Sequence, residues 1–408
     1  FRGEAERRRT LLRRQIMKKK LLRFAALMIA LAFVFAGTAC RGGDVVVDIG
    51  HDTPAPTAQL TTSPTAEPTP APVHATLMFV GDLMCLSSQQ RGAKQQAGGS
   101  GYDFSPSFAY VREVFNNADC VIGNLETSLS HSWPYATEQR NIGGMPNCNG
   151  PKQYLGALKF AGFDALVLAN NHCCDAGVQG IIETTQAVEE YGFPYTGLFR
   201  EKDAQRFVIL DVKGIKVGLL SYAEFYNSKD KAVREAGCEY MINTYSKERI
   251  AEDIAAARAA GAELIVAYNH WGAEHTHQPT PKVVTHAQEM ADAGVDIIIG
   301  SHSHAVQPVV WLTAADGRQV LCAYSMGNFV SSMGRSTAND TFIAEIIVRE
   351  GGSVRVESEK YHPCRVFPQL KGYWYVVVPT NVTIVNSIIP QLKAAEERIT
   401  AIVNPEGR

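Results

Sequence analysis

No Cys-x-x-Cys pair occurs among the nine cysteines of this chain, which removes the ligand spacing of a zinc ribbon. Ser325, in Tyr324-Ser325-Met326-Gly327-Asn328, has no G-x-S-x-G around it. It therefore lacks the elbow that exposes a serine nucleophile. No internal repeat is visible. The one extended apolar run, Leu21 to Phe35, is interrupted by Arg23 and is short for a membrane span. Basic residues are also scarce beyond the N-terminus. Residues 1–39 hold ten Lys/Arg and two Asp/Glu, which leaves 29 basic against 39 acidic residues in the remainder, a net charge of −10. An acidic body argues against a nucleic-acid partner, which calls for a basic face.

What is present suffices for a large folded body: the chain has 408 residues, 46% of them apolar, room for one large domain or two smaller ones. Met17-Lys18-Lys19-Lys20, the apolar run and Ala36-Gly37-Thr38-Ala39-Cys40 have the layout of an export signal. Met17 reads as the start, with residues 1–16 as upstream read-through and 17–40 as the signal. Cys40, closing the run after small residues, resembles the lipidated cysteine of a bacterial lipoprotein, although Gly37 stands where leucine is usual. An uncleaved signal anchor is the alternative. Either way the expected location is extracytoplasmic, anchored to the cell membrane. Residues 41–74, rich in Pro, Thr and Ala, read as a solvated, semi-extended linker. After Cys40, eight cysteines remain, an even number that permits disulfides in an exported protein. Most lie within strand-like or site-adjacent runs, so buried free thiols are the competing expectation.

From Ala75 onward strand-like and helix-like runs alternate. Strands are expected at 76–80, 120–122, 165–168, 208–210, 217–221, 264–268, 296–299 and 320–324, and helices at 108–116, 180–191, 246–260 and 280–293. Such alternation points to an α/β architecture around a mainly buried sheet. Lys213-Gly214-Ile215 and Glu350-Gly351-Gly352-Ser353 read as hairpin turns, so the sheets should be mixed. The main domain is placed at 75–360. Residues 361–408 are a C-terminal extension whose helix, expected from Ile384 to Val403, would be broken at Pro390.

Polar groups at strand ends are not explained by their apolar strands. Asp82 follows Phe79-Val80-Gly81. Asn124 and Glu126 follow Val121-Ile122-Gly123. Asn171 and His172 follow Leu168-Ala169-Asn170. His270 and Glu274 follow the sixth strand, and His302 and His304 the seventh. In open α/β sheets the loops at strand carboxyl ends converge on one crevice. Asp, Glu, Asn and His meeting there form a mixed oxygen and nitrogen set, suited to zinc, manganese or iron rather than to calcium. Each residue also has a plainer reading: Asp82 as a helix cap, Asn124 and Asn171 as turn formers, the histidines as core residues, Trp271 as a pocket wall. For Asn124 and Trp271 the plainer reading is preferred. Of the remaining histidines, His275, His277 and His286 are expected at the surface or just behind the ligands, although His275 and His277 lie close enough to His270 in sequence to compete as ligands.

Taken in order, Gly81-Asp82, Gly123-Asn124-Leu125-Glu126, Asn170-Asn171-His172 with Asp175 and Gly177, His270-Trp271-Gly272 with Glu274, Gly300-Ser301-His302-Ser303-His304 and Tyr324-Ser325-Met326-Gly327-Asn328-Phe329 resemble the bacterial capsule synthesis CapA family of poly-γ-glutamate capsule proteins. The resemblance implies a calcineurin-like metallophosphatase fold, with mixed β-sheets in layers flanked by helices. It implies one or two divalent ions. Asp82 and His304 would serve the first, Asn171, His270 and His302 the second, and Glu126 would bridge them. His172 would face the substrate as an acid or an oxyanion donor. Asn124, Asp175, Glu274 and Asn328 would support these groups or meet the substrate. Met84 departs from the phosphoesterase pattern, which has a histidine two residues after the first aspartate, and Glu126 stands where aspartate is usual. The implied function is metal-dependent hydrolysis or transfer on poly-γ-glutamate or another anionic envelope polymer, beside membrane capsule synthetase subunits. The alternatives are a non-catalytic polymer-binding assembly factor and a phosphoesterase. Because the body is acidic, capture of a polyanion would have to be local, at metal or at a basic patch.

Overall fold

Strand β1 (Val73–Leu83) is apolar on both faces, and that property sets the architecture. Alternate residues of a strand point to opposite sides. Leu77 and Phe79 look into a core shared with Leu219, Val266 and Ile299, while Met78 and Val80 look into another, with Leu155, Leu158 and Ile181. A sheet buried on both faces needs a cover on each. The computed structural model describes residues 72–404 except 352 and 383, all within one compact unit. The export signal, Cys40 and residues 41–71 of the linker lie outside the described residues.

The remaining strands, in chain order, are β2 (Cys120–Asn124), the short β3 (Asn141–Ile142) and β4 (Met145–Pro146), β5 (Ala165–Val167), β6 (Tyr195–Thr196), β7 (Val208–Val212), β8 (Ile215–Ala223), β9 (Leu264–His270), β10 (Ile297–Ser301), β11 (Val309–Thr313), β12 (Gln319–Ala323), β13 (Asn328–Val330), β14 (Asp340–Glu350), β15 (Arg355–Leu370) and β16 (Tyr373–Pro379). One sheet runs β16-β15-β14-β1-β2-β5-β6, with β13 added beside the end of β1; the other runs β11-β12-β10-β9-β8-β7. Both are mixed: β1, β2, β5 and β6 are parallel, as are β8, β9, β10 and β12, while β14–β16, β7 and β11 pair antiparallel. The sheets face each other across the shared core. The helices Gln153–Ala161 and Gly177–Glu190 cover the outer face of the first. The helices Lys247–Ala259 and Pro281–Ala293 cover the outer face of the second. These are the layered, mixed sheets flanked by helices that the sequence led us to expect.

Both expected hairpins are present, β7–β8 and β14–β15. The terminal helix begins at Ile389, and Pro390 sits in its first turn. The proline thus starts the helix rather than breaking it, because the first turn has no use for its missing N–H. The run 108–116 is helical only at Arg112–Phe115, after a 3-10 turn at Ser105–Phe108. β15 crosses residues 360 and 361 without a break, and the helix Ile389–Val403 packs Ala395, Ile399 and Val403 against the same core as Phe342 and Ile346 of β14.

Candidate metal centre

Strand register brings the polar residues together. Asp82 at the end of β1 lies beside Asn124 of β2 and Asn328 of β13, and His270 of β9 lies beside Ser301 of β10. The two sheets are tied at this end by Tyr268, whose hydroxyl donates to the carbonyls of Val80 and Ile122, each at 3.0 Å. Two glycines permit the approach. A Cβ at Gly81 would lie 1.8 Å from the Gly327 carbonyl oxygen, and one at Gly300 would lie 1.9 Å from that of Tyr324.

Asp82, Glu126, Asn171, His270, His302 and His304 are all buried around one point. His270 Nε2 lies 2.9 Å from Asn171 Oδ1, 3.1 Å from His302 Nδ1 and 3.6 Å from Glu126 Oε1. His304 Nδ1 lies 3.4 Å from Asp82 Oδ2, and its Nε2 lies 3.9 Å from Glu126 Oε1. Donor atoms of Asp82, Glu126 and His270 form one close group and those of Glu126, His302 and His304 another, so Glu126 is common to both. The resemblance implied His270 with Asn171 and His302, and His304 with Asp82; in the structure the His270 ring touches Asn171 and His302 and also joins the Asp82 group, while His304 lies near Asp82 and also joins His302.

Both carboxylate oxygens of Glu126 are buried without a hydrogen-bond partner. Burial pushes this carboxyl well above its ordinary range, and the charge of Asp82 pushes it further. Burial also holds His270 well below the usual imidazole value, helped by the neighbouring His302 and His304, and holds His302 down at about 3. Neutral imidazoles offer lone pairs, and an orphaned buried carboxylate calls for a positive counterpart. The donor set and its geometry therefore fit a divalent cation.

Supporting groups fix these donors. Asn124 Nδ2 donates to Asp82 Oδ1 at 2.7 Å and is 3.3 Å from both His270 Nδ1 and Ser301 Oγ. It thus braces the centre, more than the turn-forming role preferred for it. Asn328 Oδ1 is 2.8 Å from His304 Nδ1. The His302 amide donates to Asp82 Oδ2 at 3.2 Å. That bond holds a turn in which His302 and His304 take φ of 87° and 52°, a left-handed backbone uncommon in non-glycine residues. Glu274, half-exposed, pairs with His275 at 3.4 Å instead of orienting His270. Met84 is buried in the cavity wall. Trp271 is buried, its indole N–H donating to the Tyr324 carbonyl, and Ser325 is fully buried with its hydroxyl 2.8 Å from Ser303 Oγ. His286 pairs with Glu224 and His277 lies against the Val306 carbonyl, both away from the donors.

A cavity of about 300 Å³ opens over the centre, walled by His172, His304, Met84, Cys148, Arg140 and Arg335. His172 Nδ1 is 2.8 Å from Asp175 Oδ2. The buried Cys148 sulfur lies within 4.8 Å of the same imidazole. Burial pulls this ring down, but Cys148 and Asp175 outweigh it and hold it well above its usual value. Cys148 is the residue that sequence reasoning missed. It carries no motif, and only the fold brings its loop, after β4, to His172. All eight cysteines from Cys85 to Cys364 are free thiols; Cys173 and Cys174 place their sulfurs 3.8 Å apart.

Residues 76–333 match the model of the bacterial capsule synthesis protein PGA_cap family. The chain is 29% identical over 281 residues to the capsule biosynthesis protein CapA of Bacillus anthracis, covering 68% of this chain and 65% of that one. It is 27% identical over 287 residues to the PGA biosynthesis protein CapA of Bacillus subtilis (strain 168), covering 68% and 69%. The match therefore spans somewhat less than two thirds of the first relative's length and slightly more of the second's. Among solved structures, the calcineurin-like phosphoesterase YfkN from Bacillus subtilis aligns with a TM-score of 0.43 and 16% identity over 81% of this chain and 98% of that one, a likeness too slight to add to what the strand order shows. With the family model matched across β1 to β13 and over the whole candidate centre, the chain belongs to the bacterial capsule synthesis protein family.

Proposed function

We propose that the protein is a metal-dependent hydrolase or transferase acting outside the cytoplasm on an anionic envelope polymer of the poly-γ-glutamate type, held to the membrane through its N-terminus and working beside capsule synthetase subunits. One observation carries the reading: the two unpartnered, buried oxygens of Glu126, ringed by Asp82, Asn171, His270, His302 and His304. These six would hold one or two divalent ions of zinc, manganese or iron, which when bound supply an activated water and a counter-charge for the attacked oxygen. The protein's own groups do the rest. Asn124 and Asn328 keep Asp82 and His304 in place. Asp175 fixes Nδ1 of His172, so the ring turns a defined edge to the cavity, from which it donates a proton to the leaving group or a hydrogen bond to the developing oxyanion.

Met84 supports a second reading. It gives the centre no donor where phosphoesterases have a histidine, which favours a non-catalytic assembly factor that grips polymer in the same cavity. Purified full-length protein, assayed for bound metal and for turnover of γ-glutamyl-p-nitroanilide and bis-p-nitrophenyl phosphate, separates these. Metal with γ-glutamyl turnover supports the hydrolase or transferase, and metal with phosphodiester turnover alone supports a phosphoesterase. Metal without turnover supports the assembly factor, and absence of metal defeats all metal-dependent readings.

A further inference from the structure

An acidic protein that handles a polyanion must concentrate its positive charge locally, and the cavity mouth does so. Arg140 and Arg335 are exposed and wall the cavity that opens over His172 and His304. Arg91 stands one turn along the helix Ser87–Gln96 from two further cavity residues, Ser87 and Ser88. Its guanidinium donates to both of their hydroxyls, at 2.6 and 2.8 Å. Among the described residues none of the three has a carboxylate within ion-pair distance. Most other arginines of the body do: Arg200 pairs with Glu189, Arg206 with Asp253, Arg234 with Asp230, Arg258 with Asp296, and Arg365 and Arg398 with Asp340. In a body with ten more acidic than basic side chains, two guanidiniums without an ion pair stand in one cavity wall and a third is bonded to two of that wall's serines. Glu274 is the one carboxylate of the cavity wall, against the two guanidiniums of Arg140 and Arg335. The cavity is thus cationic at its mouth and metal-donating at its floor.

We propose that Arg91, Arg140 and Arg335 form a polycarboxylate subsite. It would grip the free carboxylates of an anionic chain while one backbone link of that chain lies over His172 and the metal donors. Guanidinium suits the role because its planar fork matches a carboxylate in two parallel hydrogen bonds. The subsite rests on the polymer reading above and names the residues that would give it chain recognition.

The test uses full-length protein and a fluorescein-labelled γ-linked glutamate decamer, followed by anisotropy, with bound metal measured on each sample. The Arg140→Gln/Arg335→Gln variant should bind the decamer at least about tenfold more weakly, and adding Arg91→Gln should weaken it further. The charge-matched Lys202→Gln/Lys393→Gln control should bind as the wild type does, and metal content should be the same in all. Affinity of the wild type should fall steeply with salt and that of the arginine variants should not. Equal binding by wild type and arginine variants overturns the subsite while leaving the polymer reading standing. No binding by the wild type overturns both. Loss of metal in a His302→Ala variant with decamer binding retained leaves the subsite intact and separates it from the metal centre.

Discussion

Asn124 shows how a residue with a modest sequence signal acquires a defined task. At the end of β2 an asparagine most simply shapes a turn, and sequence reasoning preferred that role. In the folded protein its amide holds Asp82 and lies against His270 and Ser301, joining both sheets at the centre. Groups that orient metal ligands in this way commonly affect affinity 10- to 100-fold. Asn124→Ala is therefore expected to weaken zinc or manganese binding by about that factor, with little change in the secondary structure seen by circular dichroism; titration calorimetry measures it, and unchanged affinity would show that Asp82 needs no brace. The six donor residues could be picked out by type and by strand-end position. Cys148 could not, because neighbourhood in space, not in sequence, gives it a relation to His172.

At the scale of elements, the buried parallel strands were the easiest to find, since a continuous apolar run of five or six residues has few other homes. β1, β2, β5, β8, β9, β10 and β12 all arise from such runs. The helix Ser87–Gln96, with its Gln-rich sequence, has no strong apolar stripe and is held by tertiary contacts: Gln90 donates to the carbonyls of Cys85 and Asn149. β13 and β16 are likewise strands because a partner edge exists for them. Gly300 marks where two elements meet. An alanine there would drive its methyl into the Tyr324 carbonyl and the Trp271 indole nitrogen. Gly300→Ala should cost about 3 kcal/mol or more, with the turn carrying His302 displaced as β10 shifts. Denaturant unfolding reads the first effect and metal binding the second; a variant as stable as the wild type would mean that the two strands can part without cost.

Taken whole, the molecule keeps a Glu126 carboxyl without a hydrogen-bond partner, three imidazoles and an aspartate packed together in its interior, an arrangement that costs stability until a cation arrives. A ligand that binds only the folded state stabilises it by about 2.7 kcal/mol at a hundred times its dissociation constant. Exhaustive chelation should thus lower the melting temperature by several degrees and re-addition of zinc or manganese should restore it, whereas Asp82→Asn/His302→Ala protein should melt at the same temperature with or without metal; scanning calorimetry decides. The sequence alone determined the alternation of buried strands and helices, the mixed sheets and the residue types gathered at strand ends, because apolar periodicity and donor chemistry are local properties of the chain. Tertiary structure alone decided that Glu126 is shared by two donor groups, that Cys148 meets His172, and that Arg140 and Arg335 share one cavity wall, with Arg91 bonded to two of its serines. Those relations, from Cys148 and His172 to Arg91 and Arg335, join residues tens to hundreds of positions apart, and only the register of β1, β2, β9 and β10, with the loops that close over their ends, sets the distances between them.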